Sequence, residues 1–336
     1  MLCINNYINI ISLRDLLYWN TETVHKLTIK DIAALCNVGK STVSRVINND
    51  KNVNEVTRQK VLTVIERYQF TPSKSARAMR GLANRTFGII VTRLDSYAEN
   101  QTVSAILPLF YANGIDPIIL ESQFDPKKVD EHLTMLERRK IDGVILFAFT
   151  GMTSEQLASW QQRIVIIARS FDGYTCVCND DTGAVNHLME FLHQEKKFSE
   201  IGYVGIDLQD ETTGLLRFQA YENYCHQHQL TINAELGKLN YQSGYQLAQK
   251  VVSKGPQAIL CATDSLAFGV QKYLKTQTIN DVFVACIGRN DLLTFLFPDT
   301  KTCRLGFRES GELAASLLIN IINNKFSPKT HIITSP

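Results

Sequence analysis

Polar side chains gather where the apolar runs of this sequence end. Arg93 and Glu99 follow FGIIVT, Thr150-Gly151 follows GVILFAF, and Arg169 closes RIVIIA. Glu211 and Thr212, with Arg217 a few residues later, follow IGYVGI; Asp264 follows AILCAT, and Phe307 stands beyond FVACIG. Carboxylates accept hydrogen bonds from sugar hydroxyls, an aromatic face covers a ring, and arginines hold an anion. The set therefore suits a polyhydroxylated ligand, and two strand-end arginines, Arg93 and Arg169, are more than a neutral sugar needs. A phosphorylated sugar is the expectation. Any one arginine, taken alone, could equally close a helix or pair with a nearby acid.

A second set lies near the amino terminus, where Lys40, Ser41, Thr42, Ser44 and Arg45 crowd into GKSTVSRVIN. They fall on the polar side of a helix whose inward positions are Val43, Val46 and Ile47. A helix precedes it: Thr28 can cap it with Asp31 at the third helical position, and Ile29, Ile32, Ala33 and Cys36 recur on one face. Asn37-Val38-Gly39 breaks that pattern. A third helix places Val61, Val64, Ile65 and Tyr68 together. Three short helices with polar and basic groups at the start of the second make a helix-turn-helix unit that meets base edges.

Beyond Asn84 the elements that must position the first set are short β-branched runs alternating with helical patterns. Such alternation predicts parallel strands covered on both faces, and about 250 residues suffice for two such halves. In doubly wound sheets ligands collect at the carboxyl ends of strands. The predicted fold class is α/β: an N-terminal three-helix domain and a core of two parallel-sheet subdomains.

The charge agrees with this division. The whole chain of 336 residues carries +2, but residues 26–85 hold 12 basic and 4 acidic side chains, while residues 86–336 are net −5. Only the first part is expected to meet a polyanion. A mean hydropathy of −0.08, and the absence of an apolar stretch near twenty residues, exclude a spanning helix. Eight cysteines sit mostly in apolar runs without C-x-x-C spacing, as reduced core residues; Cys176-x-Cys178 leaves a metal or redox site open. The leader MLCINNYINIISLRDLLYWN lacks a basic start and a small-residue cleavage site, so no signal peptide is expected, and a cytoplasmic protein is.

The string GKSTVSRVIN, continuing through NVNEVTRQKVLTVIERYQFTPSKSARAMRG, resembles the lactose/galactose repressor family over about 55 consecutive residues. RRKIDGVIL, NDDTGAVNHL, RFQAY and ILCATDSLAFG resemble the periplasmic-binding-protein-like core of the same family, in order and over almost the whole chain. The resemblance implies a domain plan of residues 1–26 as an extension or a start placed too early, 27–71 as the DNA-binding domain, 72–84 as a hinge helix, and 85–336 as the ligand-sensing and dimerisation core. It implies that Lys40, Ser41 and Arg45 contact bases, with Thr42 and Ser44 near phosphates. Arg45 is the expected guanine reader, its fork matching O6 and N7.

In the hinge, Met79 would wedge into a minor-groove step, where relatives usually carry leucine, while Lys74 and Arg77 neutralise phosphates. An exposed linker with an incidental methionine is the alternative. Within the family, IIVTRLDS, ILESQF, FTG, IARS and DETTG are most similar to regulators of trehalose operons. That likeness implies trehalose 6-phosphate as effector and contacts from Arg93, Glu99, Arg169, Glu211, Thr212, Asp264 and Phe307, with Arg217 holding hydroxyls as in the wider family. Asn179 departs from a more usual aspartate, and Arg289 and Asp291 add charge near the rim.

The expected protein is a homodimeric repressor that binds double-stranded operator DNA of two-fold symmetry and is released by a small-molecule sugar phosphate. No membrane, metal or cofactor is expected. The rivals are a sugar-phosphate enzyme tethered to DNA and a repressor that needs its ligand as corepressor. No G-x-x-x-x-G-K-[ST], G-x-S-x-G or G-x-G-x-x-G motif favours the enzyme.

Overall fold

The computed structural model describes residues 27–47, 50, 52–68, 85–323 and 327–334. Two compact units, residues 1–84 and 85–336, divide the chain. The extension at 1–26 and the segment 72–84, with Lys74, Arg77 and Met79, lie outside the described residues.

In the first unit, α1 (Ile29–Leu35) begins at a reciprocal capping box. The Thr28 side chain accepts from the Asp31 N–H, and the Asp31 carboxylate accepts from the Thr28 N–H at 2.7 Å. The helix stops at Asn37, whose φ of 49° is a left-handed conformation that asparagine tolerates. From there α2 (Lys40–Ile47) and α3 (Glu55–Arg67) close over a core of Ile32, Ala33, Cys36, Val43, Val46 and Val61. Val64, Ile65, Ile29 and Ile47 pack at its margin. Tyr68, expected on that face, is instead half exposed: it is the C-cap, past the last helical residue, with the Arg67 guanidinium 5.9 Å from its ring.

The second unit holds two parallel sheets. The first contains β1 (Thr86–Val91), β2 (Asp116–Glu121), β3 (Gly143–Phe147), β4 (Ile164–Ile167), β5 (Thr175–Asn179) and β11 (Thr330–Ile333), in the order 11-5-4-3-1-2. The second contains β6 (Ile201–Ile206), β7 (Asn233–Gly237), β8 (Ala258–Cys261), β9 (Phe283–Ile287) and β10 (Lys301–Cys303), in the order 10-9-8-6-7. The two halves thus repeat one winding. Both faces are covered: Ile89 packs beneath α4 (Tyr97–Ala112) and α11 (Phe307–Ile322), while its neighbour Ile90 joins Leu133 and Leu136 of α5 (Pro126–Arg138) and Trp160. Burial on both sides is why these strands read as unbroken apolar runs rather than alternating ones.

Among the described residues the chain crosses between halves at two places. One lies between β5 and α6 (Asp181–Glu190), the other between β10 and α11. Asn179 joins them, its amide donating to the Leu305 carbonyl and, at 3.0 Å, to the Ser310 hydroxyl. Gly311 lets α11 approach the backbone of α4 at Thr102, where a side chain would collide.

Candidate functional site

In the first unit the chemistry rests on the surface of α2. Lys40, Ser41 and Arg45 are exposed, whereas Thr42 and Ser44 are half-buried beside the helix-turn-helix core. The Arg45 side chain is 63% exposed, with its Nε 4.0 Å from the Asp50 carboxylate. That contact is too open to fix the guanidinium, which leaves its fork available to base edges.

The second unit carries a cleft between its halves, with a cavity volume of about 170 Å³, where the carboxyl ends of both sheets face one another. Of the residues singled out from sequence, Arg93, Glu99, Thr212, Arg217, Asp264 and Phe307 line it. The loop after β1 supplies Arg93. Its Nη1 donates to the Leu239 carbonyl of the opposite half at 3.5 Å, and its Nε, buried and without a hydrogen-bond partner, lies 3.7 Å from Asp95.

Glu99, in the first turn of α4, accepts from the Thr92 N–H at 2.7 Å and from the Thr92 hydroxyl. Burial pushes its pKa up, and those two hydrogen bonds, with a weaker one from the Arg93 N–H and the Arg93 charge, oppose the rise. Asp264 opens α9 (Asp264–Thr276), where Thr263 is the cap, and its carboxylate accepts from the Asn290 amide at 2.8 Å. Thr212 lies in a single π-helical turn, Glu211–Leu216, whose head is held by Asp210: the carboxylate accepts from the Thr212 and Gly214 N–H groups at 3.1 and 3.0 Å.

Arg217 is built differently from a free ligand group. At the start of α7 (Arg217–His228) its Nε and Nη2 both reach Asp181 at 2.7 Å, and Nη1 donates to the Ala262 carbonyl. The two side chains are only 6% and 10% exposed, so the pair belongs to the floor of the cleft as well as to its lining.

Arg169 and Glu211 are not part of the lining. They pair with each other at the rim, one from each half. Two aromatic rings missed in the sequence reading stand inside: Phe124 and Phe149 meet edge to face at 5.6 Å, with the Arg93 guanidinium 6.0 Å from Phe124. Both lie just past apolar runs, in ILESQF and GVILFAF, so the strand-end rule that found the arginines could have found them.

Ala168 and Gly288 occupy matching places after β4 and β9, each with positive φ (78° and 93°) and each followed by an arginine. Arg289 is exposed and 3.7 Å from Asp291. Cys176 and Cys178 lie on β5; burial pushes the Cys178 thiol up to about 11, and no cluster of three metal-ligating side chains occurs among the described residues. That environment keeps the thiol protonated and unreactive.

Residues 28–73 match the model of the bacterial regulatory proteins, lacI family, and residues 189–336 that of a periplasmic binding protein-like domain. The chain is 47% identical over 309 residues to the HTH-type transcriptional regulator TreR of Escherichia coli (strain K12), spanning 92% of this chain and 98% of that protein. It is also 47% identical over 311 residues to TreR of Salmonella typhimurium, spanning 93% and 98%. The solved structure of the trehalose repressor from Escherichia coli superposes with a TM-score of 0.73 at 43% identity, over 75% of this chain and 98% of that one. The lac repressor dimer bound to operator and the anti-inducer ONPF, at 18% identity and a TM-score of 0.80 over 92% and 96%, is alike in fold. A helix-turn-helix unit, two equally wound sheets and these identities together establish that the chain belongs to the lacI family of bacterial regulatory proteins.

Proposed function

We propose that this protein is the transcriptional repressor of a trehalose utilisation operon and that trehalose 6-phosphate is the effector that releases it. The observation that carries the reading is the cleft itself: arginine, carboxylate and aromatic groups converge between the halves of a chain 47% identical to two TreR regulators. Those relatives are named as regulators, and this chain is a regulator rather than an enzyme. Arg93 in the cleft and Arg169 at its rim would take the phosphoryl group, Glu99 and Asp264 would accept from sugar hydroxyls, and Phe307 with Phe124 and Phe149 would cover the rings. Thr212 adds a hydroxyl, while Arg217 presents its edge from a fixed position.

On DNA, α2 of each subunit would enter a major groove. Lys40, Ser41 and Arg45 would read bases, Thr42 and Ser44 would sit near phosphates, and the hinge residues Lys74, Arg77 and Met79 would occupy the minor groove between half-sites. Dimerisation is supported by an exposed apolar surface on α8 (Tyr241–Val252) and α10 (Asp291–Leu296), where Tyr241, Leu292, Phe295 and Leu296 are more than half exposed. A second copy would cover it and match an operator of two-fold symmetry. No described helix is long and apolar enough to cross a membrane, and a repressor acts where the DNA is, in the cytoplasm.

The ligand acts through its differential affinity for two arrangements of the halves. Calorimetric titration of the full chain with trehalose, trehalose 6-phosphate and glucose 6-phosphate, alongside operator binding with and without each, tests the reading. The expected result is strongest binding of trehalose 6-phosphate and weaker operator binding in its presence. Strengthened operator binding, or turnover of the ligand, would refute it.

A further inference from the structure

The two arginines assigned to an anion are not equally available. Arg93 has one long hydrogen bond across the cleft and a loose contact with Asp95. Arg169 is already committed: its Nη1 donates to the Phe149 carbonyl at 2.7 Å, its Nη2 pairs with the Glu211 carboxylate, and Phe171 lies 5.5 Å below the guanidinium. Glu211 comes from the other half. It is tied twice to the first half, because its backbone N–H also donates to the Thr150 hydroxyl at 2.9 Å. The pair sits at the rim, Arg169 16% exposed and Glu211 51%, so the carboxylate has water on one side and can leave.

We propose that Glu211 occupies the place on Arg169 that the ligand's phosphoryl group takes, so that binding of a phosphorylated sugar is an exchange of one anion for another. The inference rests on the reading that the effector is phosphorylated. A guanidinium presents its donors along fixed edges; the Phe149 carbonyl holds Nη1 and Glu211 covers Nη2, so a phosphate approaching Arg169 on the Nη2 side meets the carboxylate and displaces it. The phosphoryl group brings more charge and three acceptor oxygens, which outcompete a half-exposed carboxylate and repel it. A neutral sugar has nothing to exchange and leaves the pair intact. Asp210 holds the head of the turn through two backbone N–H groups, so the Glu211 side chain swings away without unwinding residues 211–216. The exchange removes the side-chain half of the double tie and leaves the Thr150 contact as the remaining hold on Glu211.

The test uses the full chain and its Glu211→Gln variant, titrated calorimetrically with trehalose 6-phosphate, trehalose and inorganic phosphate. Removing the competing charge is expected to tighten both phosphate-bearing ligands about fivefold, with trehalose changed less than about twofold. Glu211→Asp, one methylene shorter, should shift them in the same direction by less; thermal melting establishes that each variant is folded. Weaker trehalose 6-phosphate binding in Glu211→Gln would make Glu211 a direct ligand contact and overturn the proposal. Equal tightening of trehalose would make the pair a general brace on the cleft and also overturn it, as would the lack of any phosphate binding in both proteins. If neither sugar binds but phosphate shows the fivefold difference, the exchange stands and the trehalose assignment falls. If trehalose 6-phosphate binds both proteins alike, the assignment stands and the exchange falls.

Discussion

The Asp181→Asn variant tests whether Arg217 serves the fold before it serves the ligand. Asp181, in the first turn of α6, is placed where the helix N-terminus favours a negative charge, and it holds two nitrogens of Arg217 at 2.7 Å in a nearly dry site. Breaking such a buried pair by removing one partner costs about 3–5 kcal/mol, because the remaining charge is left without compensation. Asparagine keeps one acceptor oxygen, and the Ala262 carbonyl still receives Nη1, so the expected loss is about 2–4 kcal/mol. For a unit of this size each kcal/mol lowers the melting temperature by about 2–4 °C, which gives a fall of about 4–16 °C. Differential scanning calorimetry reads the fall. The double variant Asp181→Leu with Arg217→Met, which replaces both charges by apolar groups, should recover most of it. A drop below about 2 °C for Asp181→Asn, or a double variant no better than the single one, would show that the pair does not hold the floor of the cleft.

Arg45→Ala should lose about 1–3 kcal/mol of discrimination at one base pair of each half-site, and a binding-site profile identical to that of the parent protein would reassign the reader. Because burial raises the pKa of Glu99, the folded state holds that proton more tightly than the unfolded chain. The stability this contributes is full below the ordinary glutamate range and is lost as pH rises through the raised value. Glu99→Gln should therefore melt with a less negative slope than the parent over that window, and parallel melting curves against pH would contradict the assignment. Ala168→Gly relieves a left-handed alanine at φ 78° at the cost of extra freedom in the unfolded chain, for a net gain of about 0.5–1 kcal/mol by denaturant unfolding; destabilisation would refute the strain.

Local chemistry was the most legible part of the sequence. The Thr28 and Asp31 capping box and the apolar face of α1 involve residues within one or two turns, and both formed as expected. The strands buried on two sides announced themselves as apolar runs, but β7 did not. It is an edge strand, Asn233–Gly237, mostly half-buried and carrying Asn, Glu and Gly, so it lacks the run that marks the interior strands. For the site, position at a strand end was readable and partnership was not. Arg217 and Asp181 are 36 residues apart, and Arg169 and Glu211 are 42 apart on separate sheets, so no spacing rule joins them. A strand-end arginine looks the same in sequence whether its fork is open, as on Arg93, or already occupied, as on Arg169. Tyr68 failed for a simpler reason: helical periodicity was extended one residue past the helix end.

The stapling of the two described inter-half connections by Asn179 has a mechanical consequence. With the Leu305 carbonyl and the Ser310 hydroxyl both held by one amide, sliding these segments past each other would cost both hydrogen bonds, which favours rotation about that junction. On a lever of this kind, small angular changes at the pivot become larger displacements with distance from it. Asn179→Ala would loosen the pivot, turning a directed rocking into play in several directions.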